Sequence, residues 1–196
     1  MTGLDITEYT QAAMVTASIA MMRVLEEKGI KPDVAAGLSL GEYCALAAAG
    51  VMSDEDAIRT VRQRGILMQE AVPVGEGAMA AILALDASAI EEVTGAMEGV
   101  WIANYNCPGQ IVISGSIEGI NKACELMKAA GAKRALPLKV GGAFHSPLMN
   151  PAKVELEAAI NATEIHAPKC PVYQNVDAMP HTDPVEIKKN LVAQLT

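Results

Sequence analysis

The pattern of hydrophobic and polar residues along the first third of this chain predicts helices and one short strand. From Tyr9 to Glu27 apolar residues recur every three or four positions, and Gly29 follows as a stop signal. Ser53 and Asp56 have the spacing of a capping box, which predicts that a helix begins there. The predicted elements are a helix over 9–27, a strand over 34–36, a helix over 42–49 and a helix over 53–71.

From Gly77 onward strands become more frequent. Ser88 and Glu91 repeat the capping-box spacing and predict another helix start, and Pro108-Gly109 is a turn signal between two strands. The order of elements, β-α-β-β-α-β, is typical of a ferredoxin-like unit. The predicted elements are a strand over 78–85, a helix over 88–97, strands over 100–106 and 110–114, a helix over 117–130 and a strand over 134–138.

The remainder of the chain returns to helices, with helical patterns over 147–162 and 184–195 and a short strand over 172–175. We therefore predict an α/β fold made of two parts. Residues 1–76 and 140–196 form a parallel-sheet, hydrolase-like core, and residues 77–139 form a ferredoxin-like (βαββαβ) subdomain inserted into it.

The composition excludes several classes of protein. Of the 196 residues 51% are hydrophobic, so the chain can bury a core, and a net charge of −8 argues against broad nucleic-acid binding. No apolar run reaches membrane-spanning length, and the N-terminus has no signal-peptide pattern. The four cysteines include no C-x-x-C pair, which argues against a metal site and favours a reduced cytoplasmic protein.

The pentapeptide Gly37-Leu38-Ser39-Leu40-Gly41 carries the strongest chemical signal. It matches G-x-S-x-G, the nucleophile elbow, and lies between a predicted strand and a predicted helix, as that motif requires. Its two glycines would let backbone pass close to a strained serine, and the amide of Leu40 would stabilise an oxyanion at the helix start. The alternative is a small-residue turn in which Ser39 is an ordinary helix-capping residue.

A serine nucleophile requires a general base, and this chain has three histidines. His145 lies in a Gly-Gly-Ala-Phe-His-Ser-Pro segment between a predicted strand and a predicted helix, whereas His166 and His181 adjoin prolines or lie close to them and are predicted to lie in loops. A single histidine is more often structural. The requirement of Ser39 for a partner is what favours His145.

Arg64 is the second charged residue of interest. Arg59 and Arg62 on the same predicted helix are interpreted as solvated surface charges, and Arg64 could be a third. If Arg64 is buried instead, its planar guanidinium would suit a substrate carboxylate held by two hydrogen bonds. Periodicity alone leaves both alternatives open.

Five motifs occur in an order that resembles a known family. They are Gly37-Leu38-Ser39-Leu40-Gly41-Glu42-Tyr43, the segment from Arg64 to Ala71, Asn106-Cys107-Pro108-Gly109-Gln110, Gly131-Ala132-Lys133-Arg134, and Ala143-Phe144-His145-Ser146-Pro147-Leu148-Met149. Together they resemble the malonyl-CoA:acyl carrier protein transacylases of fatty acid synthesis and the acyltransferase domains of polyketide synthases. The resemblance covers nearly all of the chain.

The resemblance implies that a malonyl group passes from coenzyme A to the phosphopantetheine thiol of acyl carrier protein, with no cofactor beyond the thioester substrate. Ser39 would be the nucleophile and His145 the general base, its imidazole oriented by a main-chain carbonyl. Arg64 would pair with the malonyl carboxylate, because an acetyl group would leave the guanidinium unpaired. Leu40 would donate its amide to the oxyanion.

The resemblance also implies further residues around the substrate. Gln11 and Asn106 match positions near the acyl pocket, with a structural hydrogen-bonding role as an equal alternative, and Phe144 matches the malonyl-type pattern. No nucleic-acid or membrane partner is implied. Because carrier proteins are acidic, as this chain is, docking would need a local basic patch. The candidates are Lys128, Lys133, Arg134, Lys188 and Lys189.

The chain departs from the family in three respects. Leu38 replaces the usual histidine before the nucleophile, no Gly-Gln-Gly loop precedes the elbow, and family members extend beyond both ends, which implies an incomplete core. Two other functions remain open. One is a serine esterase or thioesterase, which would not need Arg64. The other is a catalytically impaired fragment that serves as an interaction module for carrier protein.

Overall fold

The chain divides into two compact units in the structure, a computed structural model that describes residues 6–73 and 75–196. The first unit comprises the described residues up to Leu67 together with Ala152–Leu195. The second unit comprises Met68–Pro151. The predicted subdomain, residues 77–139, lies inside this second unit, which also includes the segment that carries His145.

Helices and strands both occur along the described residues, which makes this an α/β protein with mixed sheets. In chain order the elements are α1 (Thr7–Glu27), β1 (Ala35–Ala36), α2 (Leu40–Ala48), α3 (Asp54–Glu70), β2 (Gly77–Leu83), α4 (Ala87–Gly95), β3 (Val100–Cys107), β4 (Gln110–Ser116), α5 (Ile117–Ala129), β5 (Arg134–Pro137), a 3₁₀ turn (Pro147–Met149), α6 (Asn150–Ala162), β6 (Val172–Tyr173), β7 (Pro180–His181) and α7 (Pro184–Ala193).

The first unit has a small sheet in the order β1-β6-β7. β1 pairs in parallel with β6, so that Ala35 lies opposite Val172, and β7 is antiparallel to β6. Helices α1 and α2 contact each other, and Val15 and Leu46 are fully buried. The strand β1 leads directly into the turn at Ser39, which starts α2.

The second unit has an antiparallel sheet in the order β3-β4-β2-β5. Side chains alternate between the two faces of a strand, and β2 follows this rule. Ala80 and Ile82 join a core cluster that includes residues of α4 and α5, whereas Met79 and Ala81 join a smaller cluster to which Phe144 also belongs. Two helices therefore pack against a four-stranded sheet.

Most predicted elements agree with the structure to within a few residues, because glycines and caps mark their ends. Gly29 and Gly131 follow α1 and α5 with φ of 81° and 108°, a region that glycine enters without steric cost. The helix start at Ser53 is confirmed. Ser53 Oγ accepts the Asp56 N–H at 3.0 Å and donates to the Asp56 carboxylate at 2.7 Å.

Two local predictions were wrong. Ser88 does not begin a helix, because the chain is already helical at Ala87 and the N-cap is Asp86, with extended backbone and no side-chain capping bond. The S-x-x-E spacing of Ser88 therefore falls inside the first turn. His181 does not lie in a loop but in β7, a two-residue strand that exists only through its pairing with β6.

Along the described residues, none of the helices combines the length and apolar character needed to cross a bilayer. All four cysteines are free thiols.

Candidate active site

Ser39 occupies the sharp turn between β1 and α2. Its φ of 51° and ψ of −101° lie in a region that L-residues rarely adopt, and its side chain makes no helix-capping hydrogen bond. An ordinary N-cap has extended backbone and accepts such a bond. The geometry therefore favours the strained elbow over the helix-capping alternative.

Only one of the two motif glycines is required by a close approach of backbone. A Cβ on Gly37 would overlap the main-chain carbonyl of Gly41 and lie 2.5 Å from the Glu42 N. A Cβ on Gly41 would meet no heavy atom within 4 Å in the described part of the chain. The prediction that both glycines serve the close approach is therefore wrong for Gly41, which instead lines an open groove beside α1 and β1.

Arg64 is buried, in contrast to its helical neighbour Arg59. Arg64 is only 2% exposed, whereas the side chain of Arg59 is 74% exposed. Its Nη1 donates to Gln11 Oε1 at 2.8 Å, and its Nη2 donates to Ser39 Oγ at 2.8 Å and to Gln194 Oε1 at 3.3 Å. The predicted nucleophile and a buried guanidinium therefore share one site, and Gln11 belongs to it.

The main chain of Ser39 is held by two side chains from the end of the sequence. Asn175 accepts the Ser39 N–H through Oδ1, and Gln194 donates from Nε2 to the Ser39 carbonyl oxygen at 3.1 Å. Leu40 is the first residue of α2, so its N–H belongs to the helical turn whose amides have no partner inside the helix. Its role as oxyanion donor stays a prediction.

Glu42 lies fully buried one helical turn after Ser39. Its Oε1 accepts a hydrogen bond from Gln174 Nε2 at 2.9 Å. Its Oε2 accepts from the main-chain N–H of Asn175 at 2.8 Å and from Gln194 Nε2 at 3.3 Å. One carboxylate thus joins three residues, two of which also contact Ser39.

The charges of Glu42 and Arg64 influence each other. Burial raises the pKa of Glu42, while the hydrogen bonds from its donors and the charge of Arg64 lower it in part. Burial lowers the pKa of Arg64, and Tyr43 and Glu42 oppose that shift. Tyr43, whose ring lies 5.7 Å from the Arg64 guanidinium carbon, has its pKa raised by burial to about 12. The charge of each group therefore favours the charged form of the other, although burial is the larger cause of both pKa shifts.

Sequence reasoning missed four residues of this network, namely Glu42, Gln174, Asn175 and Gln194. One signal for Glu42 was available, since it is an acidic residue inside the otherwise apolar run of α2. Buried carboxylates are rare unless they are paired or hydrogen-bonded. The other three carry no local pattern, because β6 and α7 reach Ser39 only through the tertiary fold.

The remaining predicted site residues belong to the second unit. His145 has a φ of 54° and is half-buried in the segment between β5 and the 3₁₀ turn. Phe144 packs against the small cluster with Met79 and Val112. Asn106 is exposed near the end of β3. The catalytic role of His145 and the substrate contacts of Phe144 and Asn106 stay predictions.

The basic residues predicted to dock a carrier protein occur in both units. Lys128, Lys133 and Arg134 are exposed in the second unit and Lys189 in the first. Lys188 instead donates to two main-chain carbonyls of its own unit, at 3.3 and 3.4 Å. Among residues 6–73 and 75–196, no three His, Cys, Asp or Glu side chains gather as a metal ion would require.

The elbow, the buried arginine and the fold define a class of protein. Residues 2–194 match the family described as the acyl transferase domain, and the chain belongs to this family.

Particular members of the family are closely similar. The malonyl CoA-acyl carrier protein transacylase of Bacillus subtilis (strain 168) is 52% identical over 196 residues, which cover 98% of this chain and 62% of that relative. The structure of the malonyl CoA-acyl carrier protein transacylase from Coxiella burnetii has a TM-score of 0.95 and 44% identity, over 98% of this chain and 62% of that one.

A third similar structure contains a carrier protein. It is a complex of a type II polyketide synthase acyl carrier protein with its malonyl-transacylase, with a TM-score of 0.94 and 45% identity over 98% of this chain and 63% of that one. The chain thus spans somewhat less than two thirds of the length of each of these relatives.

Proposed function

We propose that this chain transfers a malonyl group from coenzyme A to the phosphopantetheine thiol of an acyl carrier protein, through a malonyl-Ser39 intermediate, in fatty acid biosynthesis. One observation carries the proposal: buried Arg64 donates to Ser39 Oγ at 2.8 Å. A malonyl group on this oxygen would bring its free carboxylate within reach of the guanidinium. The relatives named as malonyl transacylases support the same substrate and partner.

The proposed chemistry has two half-reactions. Ser39 Oγ bonds to the thioester carbonyl carbon while His145, the proposed base, takes its proton. The C–S bond then breaks, and the sulfur of coenzyme A takes the proton from the imidazolium. In the second half-reaction, the carrier thiol attacks the malonyl-Ser39 ester while His145 takes the thiol proton. The C–O bond to Ser39 then breaks, and Ser39 Oγ takes the proton from the imidazolium. The amide of Leu40 would donate to the oxyanion in each half-reaction.

Arg64 would select the acyl group. The malonyl carboxylate would take the Nη2 hydrogen bond that Ser39 Oγ accepts in the free protein, while Gln11 holds Nη1 in place. An acetyl group would leave this desolvated cation without its ligand. We propose Asn106 and Phe144 as further substrate contacts, with no cofactor beyond the thioester.

The two alternative functions differ in what they require of Arg64. Hydrolysis of simple esters does not require a buried guanidinium hydrogen-bonded to the nucleophile. The site therefore does not support the esterase or thioesterase alternative. An interaction module would need no acyl-enzyme at all, and the loading experiment below separates it from the proposed transferase.

We also propose the finer architecture. Residues 1–76 and 140–196 would form a hydrolase-like core, which the parallel pair β1–β6 and the elbow after β1 support. Residues 77–139 would form an inserted ferredoxin-like subdomain, which the strand order β3-β4-β2-β5 supports. Four free thiols support a cytoplasmic location.

Intact-mass spectrometry after mixing the chain with malonyl-CoA tests the proposal. We expect a malonyl adduct that is lost in Ser39→Ala. We expect Arg64→Ala to load malonyl about 100-fold more slowly while still accepting acetyl, because charge-assisted hydrogen bonds contribute about 1.5–3 kcal/mol each. Arg59→Ala, on the exposed face of the same helix, is the matched control and should load as the wild type does.

Three results would contradict the proposal. They are an adduct that persists in Ser39→Ala, equal loading of malonyl and acetyl by the wild type, and the absence of any adduct on the folded wild-type chain. In the last case, binding of carrier protein by the unloaded chain would support the interaction module instead.

A further inference from the structure

Glu42 lies at the centre of the hydrogen bonds around Ser39, yet the proposed chemistry gives it no task. It is fully buried, and its two oxygens accept three hydrogen bonds. Removing a carboxylate from water is costly unless several donors compensate it. An acidic group in this place therefore needs an explanation beyond packing.

Each main-chain polar group of Ser39 is linked to Glu42 by hydrogen bonds through one intervening residue. Asn175 gives its main-chain N–H to Glu42 Oε2, and its side-chain oxygen accepts the Ser39 N–H. Gln194 uses the same nitrogen, Nε2, for the Ser39 carbonyl oxygen and for Glu42 Oε2. A non-glycine residue with this backbone conformation stores on the order of 1–3 kcal/mol of strain, so it persists only where its surroundings hold it.

Glu42 and the Ser39 carbonyl oxygen together determine which way the amide of Gln194 faces. A carbonyl oxygen and an ionised carboxylate can only accept hydrogen bonds, so Gln194 turns its NH₂ group toward both of them. Its oxygen is then left for Arg64, from which it accepts at 3.3 Å. The opposite orientation would point NH₂ hydrogens at a cation. The carboxylate thus helps the Ser39 carbonyl oxygen to hold an acceptor beside the guanidinium.

Gln174 is fixed in the same way. Its Nε2 donates to Glu42 Oε1 and to the main-chain oxygen of Ile187, and its Oε1 accepts from Asn190 Nδ2. The two carboxylate oxygens of Glu42 and the amide nitrogens and oxygens of Gln174 and Gln194 therefore form one consistent set of donors and acceptors around an ionised carboxylate.

We propose that Glu42 is a positioning residue, whose carboxylate holds Ser39 in its strained conformation and orients Gln194 toward Arg64. The inference rests on the proposed malonyl transfer and deepens it, since one buried group would prepare both the nucleophile and the carboxylate selector. Glu42 acts through Asn175 and Gln194, not on the substrate.

The variant Glu42→Gln tests this proposal, because it keeps the shape and replaces one acceptor with a donor. We expect malonyl loading to slow at least tenfold and the preference for malonyl over acetyl to fall, with kcat affected more than KM for the thioester. Glu27→Gln, an exposed glutamate in the same unit, is the matched control and should keep the wild-type rate and preference. Wild-type rate and preference in Glu42→Gln would overturn the proposal.

A double-variant cycle separates positioning from general destabilisation. If Glu42 acts through Gln194, then Gln194→Met alone should lower the malonyl preference, and adding Glu42→Gln should change the preference little further. Additive losses of preference, or full preference in Gln194→Met, would overturn the proposal. The preference of Gln194→Met for malonyl tests the role of Gln194 even if Glu42→Gln does not fold.

The failure of the two proposals can be told apart. A wild-type chain without malonyl adduct contradicts the proposed function but not the positioning by Glu42. A crystal structure of Glu42→Gln addresses the positioning directly. We expect Ser39 to leave its positive φ or the Gln194 side chain to leave Arg64. An unchanged Ser39 turn with Gln194 still on Arg64 would overturn the inference.

Discussion

The two units of this protein both bury apolar side chains but differ in the polar side chains that they bury. The main core cluster of the second unit consists of apolar side chains such as Ile82, Ile113 and Met127. The first unit buries one arginine, one glutamate and three glutamines around the turn at Ser39, namely Gln11, Glu42, Arg64, Gln174 and Gln194. Apolar packing requires mainly the right volume, whereas a buried polar network requires every partner.

This difference predicts which substitutions each interior should tolerate. A hydrophobic side chain in the second unit can be exchanged for another of similar volume, since its contacts are not directional. A side chain of the polar network cannot, because each loss leaves a buried donor or acceptor unsatisfied. The predictions below test that contrast, beginning with the largest expected effect.

Gly37→Ala should have the largest effect, because a Cβ at this position would overlap main-chain atoms of Gly41. We expect the free energy of unfolding to fall by about 3 kcal/mol or more and malonyl loading to be lost, since the elbow must move. Thermal unfolding and intact mass measure the two effects.

Gly41→Ala is the matched control for Gly37→Ala. Its Cβ would meet no atom within 4 Å in the described part of the chain, and alanine is favoured over glycine in a helix by about 1 kcal/mol. We expect an equal or higher Tm. A normal Tm in Gly37→Ala, or a collapse in Gly41→Ala, would contradict the account of the elbow.

Ile113 and Gln174 give the direct comparison of the two interiors. Ile113→Ala should lower the free energy of unfolding by about 2–5 kcal/mol, whereas Ile113→Leu, which conserves volume, should cost less than about 1.5 kcal/mol. Gln174→Met is also close in volume but removes a donor to Glu42 and an acceptor for Asn190. We therefore expect it to cost more than Ile113→Leu in chemical denaturation. Equal losses in the free energy of unfolding for Ile113→Leu and Gln174→Met would contradict the proposed contrast between apolar packing and the buried polar network.

The smallest effect should come from pH acting on His181. Burial lowers the pKa of His181, but its hydrogen bonds with Asp177 at 2.8 Å and Glu186 at 3.3 Å outweigh this and raise it above its usual value of 6.5. The stabilisation is therefore complete below pH 6.5 and is lost as the pH rises through the raised pKa.

Asp177 sets the lower limit of the same pH range. Although burial raises the pKa of Asp177, hydrogen bonds from Met179 and His181 lower it below its usual value of 3.8. The carboxylate therefore stabilises the fold above pH 3.8, and this contribution is lost as the pH falls through the lowered pKa.

Thermal unfolding of His181→Gln at two pH values checks this prediction. We expect a loss of about 1 kcal/mol at most near pH 5.5, and a smaller loss near pH 8.5. His166→Gln, at an exposed histidine 3.7 Å from Glu164, is the control and should change Tm little at either pH. The same loss for His181→Gln at both pH values would contradict the ion-pair account.

Local patterns predicted most of the fold because their causes act within a few residues. The glycines after α1 and α5 and the Ser53 cap each mark an end by their own backbone or side-chain geometry. Ser88 failed as a helix start because its spacing to Glu91 also occurs inside a helical turn. His181 failed as a loop residue because β7 depends on a partner strand.

By itself, the sequence determined the order of elements apart from β7, the elbow motif at Ser39 and the candidacy of Arg64. Only the tertiary structure decided that Arg64 is buried with Gln11 and Ser39 and that Glu42 and Gln194 surround them. Gln194 contacts the Ser39 carbonyl across 155 residues of chain. The physical reason is range: caps and glycines act on adjacent backbone, whereas a buried hydrogen-bond network exists only once packing has excluded water and joined distant segments.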